Sequence, residues 1–117
     1  MAKNIIRELQ DELIKFRDER DWAQFHTPKD LSISLTLEAA EVLEHFQWKT
    51  PEEIRDYVKE HKEEIGDELA DVAAYLLTLS HELNIDLAKT VRRKIKKNIK
   101  RYPVKKAKGS AKKWNEL

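Results

Sequence analysis

Apolar residues recur three and four positions apart along most of this 117-residue chain, the spacing of a helix. Ile5, Leu9, Leu13 and Phe16 set a first helix over Asn4–Arg20. The pattern breaks in Asp21–Asp30, DWAQFHTPKD, where Pro28 marks a loop. A second helix is expected from Leu31 to Trp48, with Asp30 as its N-cap. Its apolar positions (Leu35, Leu37, Ala39, Ala40, Val42, Leu43 and Phe46) spread around much of the circumference, which predicts burial on most sides.

Thr50-Pro51-Glu52-Glu53 has the form of a helix start: Thr50 caps, Pro51 is tolerated first, and Glu53 completes a capping box. That helix is expected to run to Val58, break near Glu60–Lys62 and resume through Leu83. Ile65, Leu69, Val72, Ala73, Leu76 and Leu79 form its apolar face. Asn84 suits a C-terminal stop, and Asp86 can cap a last helix carrying Leu87, Val91, Ile95 and Ile99. Tyr102-Pro103 ends it, and VKKAKGSAKKWNEL beyond has no apolar periodicity. The expected fold is therefore all-α, a bundle of four to five helices. Residues 1–102 would form the helical domain and 103–117 a basic C-terminal arm.

Four acids interrupt the apolar pattern. Glu38 and Glu41 lie in LTLEAAEVLEHFQW, and Glu68 and Asp71 in IGDELADVAAYLL. Each pair is spaced i, i+3, so both members project from one helix face. Ionised groups are normally excluded from such surroundings unless a positive partner neutralises them. A divalent cation held between the two helices would do so. All four candidate ligands offer hard oxygen, which suits Mg²⁺, with Mn²⁺ as a substitute. Bundles that hold two iron or manganese ions typically add Glu-x-x-His on two helices, and that motif is absent here. Glu41 and His45 come nearest, but at i, i+4, and this spacing is taken as incidental. The alternative is that the acids are solvated or paired with Lys and Arg, as an isolated E-x-x-E commonly is.

Composition removes other chemistries. With no cysteine, thiolate nucleophiles, zinc–thiolate sites and disulfides are excluded. With only Gly66 and Gly109, neither a P-loop nor a dinucleotide fingerprint can be built. No apolar run approaches the ~20 residues of a membrane span. The opening MAKNIIRELQDELIKF lacks the apolar core of a signal peptide, so a soluble, cytoplasmic protein is expected. The overall charge of +1 hides an asymmetry: residues 88–117 carry 13 Lys and Arg against the single acid Glu116. Such a segment suits a polyanion, either the phosphates of a nucleotide or a nucleic acid. Aromatic planes on which a base could stack lie at Trp22 and Phe25, beside His26, and at Trp48. Taken singly, each reads first as a half-buried packing residue.

Taken together, W-x-x-F-H-x-P, E-x-x-E, F-Q-W, E-x-x-D, N-x-x-x-Y-P and the G-S-A-x-K tail resemble the MazG-like all-α nucleotide pyrophosphohydrolases, most closely the dCTP pyrophosphatase branch. The resemblance covers nearly the whole chain. It implies hydrolysis of a nucleoside triphosphate, dCTP or a related pyrimidine deoxynucleotide, to the monophosphate and pyrophosphate. It also implies Glu38, Glu41, Glu68 and Asp71 as Mg²⁺ ligands, and a base and sugar pocket built from Trp22, Phe25, His26 and Trp48. By the same resemblance Tyr75 faces the nucleotide, and Lys94, Asn98 and Tyr102 contact it, with Lys94 on phosphate. Relatives assemble as tetramers with pockets at subunit contacts. Some place a histidine on the first helix near substrate, where Leu13 stands here. Two rival readings remain: a nucleic-acid-binding module using residues 88–117, and a non-catalytic helical partner protein whose acids are merely solvated.

Overall fold

The computed structural model describes residues 4–117. Five α-helices are present among the described residues: α1 (Ile5–Glu19), α2 (Pro28–Glu44), α3 (Pro51–Glu82), α4 (Leu87–Arg101) and α5 (Val104–Ala107). Short 3₁₀ turns occupy Ala23–Phe25 and Trp114–Glu116, and no strand occurs among the described residues. The all-α expectation holds. The chain forms two compact units, one reaching Ile85 and the other running from Asp86 to Leu117.

Most helix ends follow their local chemistry. Asn4 caps α1, Asp86 caps α4, and the Thr50–Glu53 capping box opens α3 with both of its bonds made. Asn84 adopts φ +54°, the left-handed geometry of a helix stop. The start of α2 is a correction. It begins at Pro28, not Leu31, because the Thr27 side chain accepts from the Asp30 amide and Pro28 takes the first turn. This is the signature seen at Thr50-Pro51, repeated within what looked like a loop. The far end of α2 is also earlier than expected. Regular helix stops at Glu44, tightened turns follow, and Trp48 sits at φ +70°.

Helix α3 kinks where a break was anticipated, at His61 (φ −118°, ψ 21°). The His61 side chain lies 3.0 Å from the Tyr57 carbonyl through Nδ1, and a side chain inserted into the backbone ladder is a recognised cause of bending. Within the first unit α3 is the central rod, with α2 and α1 both packed on it. Among the described residues, Leu31, Ile65 and Leu77 are the buried apolar side chains of this unit, and Leu31 is fully enclosed.

Two polar ties fix α1 in place. Gln10 donates to the Leu77 carbonyl at 2.9 Å, and the Arg17 guanidinium, 7 % exposed, pairs with Glu82 and Asp18. Burial alone would lower the Arg17 pKa, but its bonds to Glu82 and Asp18 outweigh that and raise it. A second correction concerns α2. Its apolar residues do not find burial on most sides, since Leu37 and Leu43 are 60 % and 62 % exposed. Within the first unit, α3 is the helix that α2 packs against most extensively.

Candidate metal centre and adjoining cleft

Helices α2 and α3 bring the two acid pairs together. Glu38 and Glu41 project from α2, Glu68 and Asp71 from α3, and Glu38 registers the other three. Its pKa is raised above the ordinary 4.5. The largest cause is loss of solvent, followed by hydrogen bonding with the Glu41 side chain and then by the charges of Glu41, Asp71 and Glu68. Glu38 Oε2 is shielded from water and has no hydrogen-bond partner. An orphaned carboxylate oxygen among three further acids is what a cation site contains before its ion arrives.

The donor set fits a hard divalent cation, being all oxygen. The carboxylates are neighbours rather than a closed cage: among the described residues no three acid or histidine side chains already converge on one ligation point. Glu68 has a second neighbour: its Oε2 contacts the Nε2 of His45, the residue that follows α2. His45 was dismissed as an incidental neighbour of Glu41; its partner is Glu68, on the other helix. Sequence spacing could not reveal this, because the contact joins two helices.

A cleft of about 620 Å³ adjoins the acids through Asp71. Leu13 and Phe16 of α1, Trp22 and His26 of the following turn, and Asp71 and Tyr75 of α3 contribute to its walls. Trp22 packs edge-on against Phe16, with ring centroids 5.6 Å apart. His26 Nδ1 is buried without a partner. Three of the expected nucleotide contacts, Trp22, His26 and Tyr75, therefore share one cavity with a candidate metal ligand. Leu13 lines it too.

Phe25 and Trp48 do not line it. Phe25 is 62 % exposed, and Trp48, at 91 %, stands clear of its own unit in the left-handed region that bulky residues avoid. Lys94, Asn98 and Tyr102 lie in the second unit: the first two on α4, the third as its C-cap. In that unit the Arg101 guanidinium covers the Trp114 ring at 4.7 Å, tying the final residues to α4.

The profile of the MazG-like family matches residues 33–117. The dCTP pyrophosphatase 1 of Rattus norvegicus is 40 % identical over 105 residues, and that of Homo sapiens 39 %. Each alignment covers 88 % of this chain, and the chain spans 62 % of the length of these relatives. Among solved structures, a pyrophosphatase from Archaeoglobus fulgidus superposes with a TM-score of 0.82 at 40 % identity, covering 88 % of this chain and 96 % of the other. A helical chain carrying two facing acid pairs beside an aromatic cleft, matched over most of its length in this way, belongs to the MazG-like family.

Proposed function

We propose that the protein is a divalent-metal-dependent nucleoside triphosphate pyrophosphohydrolase acting on dCTP or a related pyrimidine deoxynucleotide. The observation that carries this reading is the shielded, unpartnered Glu38 oxygen among four carboxylates, beside a cleft lined by Trp22 and Tyr75. The names of the relatives, dCTP pyrophosphatase 1 and a pyrophosphatase, support the reaction class.

In the proposed reaction a water oxygen bonds to the α-phosphorus while the bridge from that phosphorus to the β-phosphate breaks. The electron pair of the broken bond leaves with pyrophosphate, and the water proton passes to a carboxylate of the cluster. Glu38, Glu41, Glu68 and Asp71 would hold the ion, with Mg²⁺ the natural occupant and Mn²⁺ a substitute. When bound, it screens the triphosphate, polarises the α-phosphoryl group and makes a coordinated water more acidic. Trp22 offers a plane for base stacking, worth about 1–3 kcal/mol. His26 brings an unpaired ring nitrogen to the same cavity, available to a polar edge of the nucleotide.

Lys94, Asn98 and Tyr102 are proposed as the contacts of the second unit, with Lys94 on phosphate. Phe25 and Trp48 would join a pocket completed by another copy, in a homotetramer whose subunits meet on the open face of α2. The exposure of Leu37, Leu43 and Trp48 supports that assembly. No described helix is long and apolar enough to cross a membrane, and we propose a cytoplasmic role in nucleotide-pool sanitation.

Assaying pyrophosphate release from the common, oxidised and methylated triphosphates with Mg²⁺ tests the reading. Deoxycytidine triphosphate should rank among the best substrates, giving equal amounts of monophosphate and pyrophosphate. Glu38→Gln and Asp71→Asn should each lose at least ~100-fold in turnover, on the scale of losing a group that stabilises transition-state charge, with helical content intact. Near-normal turnover in either variant would remove that residue from the mechanism, and release of orthophosphate would refute the bond assignment.

A further inference from the structure

Glu68 is held by a chain of side chains that the reaction itself does not call for. His45 stands at the end of α2 with its side chain 10 % exposed, and its Nε2 contacts Glu68 Oε2. Both atoms are buried and neither has a hydrogen-bond partner; they meet as a close ion-pair contact. On the other side of the ring, His45 Nδ1 lies 2.6 Å from the Tyr57 hydroxyl.

Proton bookkeeping orients this chain. A carboxylate anion can only accept, so a proton on His45 Nε2 is what this contact calls for. In that tautomer Nδ1 is an acceptor, and the Tyr57 hydroxyl is placed to donate to it. Tyr57 is itself immobilised. Its ring stacks on His61 with centroids 4.0 Å apart and planes at 14°, and the Lys49 ammonium lies 4.2 Å from its centre on the cation–π axis. Tyr57 and Glu68 both belong to α3, eleven residues apart. The His61 kink lies between them, and His45 reaches across from α2 to touch both.

From this geometry we propose that His45, backed by Tyr57, is a positioning residue for Glu68. It holds Oε2 and leaves Oε1 to face the cation. The inference rests on the cation site proposed above. It adds two residues that the acid motifs do not contain, with a role that can be measured without substrate. Partners of this kind fix the orientation of a metal-binding carboxylate, and their loss typically costs 10–100-fold in metal affinity.

The test is Mn²⁺ affinity by electron paramagnetic resonance on the full-length chain without nucleotide, with the cation-induced shift in melting temperature measured alongside. His45→Leu should weaken Mn²⁺ binding by at least ~10-fold. His45→Gln, whose amide can still donate to Glu68, should recover most of that loss. Tyr57→Phe keeps the ring stack and removes only the hydroxyl, so it should weaken binding several-fold while still folding. Unchanged affinity in both His45→Leu and Tyr57→Phe would overturn the positioning role, even if His45→Leu melts earlier. A loss in His45→Leu that His45→Gln fails to restore would also overturn it, because donation to Glu68 would not be the cause. Absence of Mn²⁺ binding in the unaltered chain would overturn the metal reading itself, a result distinguishable from either of these.

Discussion

At the scale of single residues, Glu38 carries the most readable chemistry. Its folded-state pKa lies above the ordinary 4.5, so over the interval between the two values the folded chain binds more protons than the unfolded one. Stability of the metal-free protein must therefore fall as pH rises through that interval. Glu38→Gln removes the titration. Melted in chelator, this variant should exceed the unaltered protein in Tm at neutral pH and lose the advantage under acid conditions. An advantage that persists unchanged in acid would contradict the buried-carboxylate account. The four acids could be found from sequence because each pair lies within one helix, where spacing alone determines the face. His45 could not be found, because its partner Glu68 lies on another helix and i, i+4 spacing pointed to Glu41 instead.

At the scale of elements, helix ends and interhelical ties decide where these side chains stand. The N-cap at Thr50 was legible, yet the same Thr-Pro pairing at Thr27-Pro28 was hidden by the polar residues around it. Those residues had marked a loop, so α2 was expected to start at Leu31. The kink in α3 was legible as a lapse of apolar pattern near Glu60–Lys62. The role of the His61 side chain in making it was not, because the bond runs to a backbone carbonyl. Arg17 is the clearest energetic test at this level. It is buried on α1 and paired with Glu82 near the end of α3. Glu82→Gln would remove one of the two carboxylates on that guanidinium and leave Asp18, a loss of about 1.5–3 kcal/mol, the worth of a hydrogen bond to a charged group. Urea titration should show the drop as a lower midpoint at unchanged slope. A change below ~0.5 kcal/mol would place the pair among surface ion pairs that contribute little.

At the scale of the whole molecule, the first unit covers few apolar side chains fully and leaves Leu37 and Leu43 open on α2. Sequence periodicity identified these positions as wanting burial but could not say by what, since a chain's pattern does not record whether its partner is itself or another copy. Full burial of a leucine contributes about 1.5–3 kcal/mol, so an assembly that covers this face would gain substantially. Sedimentation equilibrium should return about four times the mass of the 13.9 kDa chain. Leu37→Glu combined with Leu43→Glu should lower both that mass and the Tm. A monomer that is stable at high concentration would contradict the assembly and leave Trp48 without its proposed pocket.

The account depends above all on two helices presenting their acids to one shared cation. Anomalous diffraction from crystals soaked in Mn²⁺ addresses this most directly. The predicted result is a strong peak between α2 and α3, with oxygens of Glu38, Glu41, Glu68 and Asp71 as its protein ligands. Manganese bound only elsewhere on the molecule, with those four side chains untouched, would contradict it.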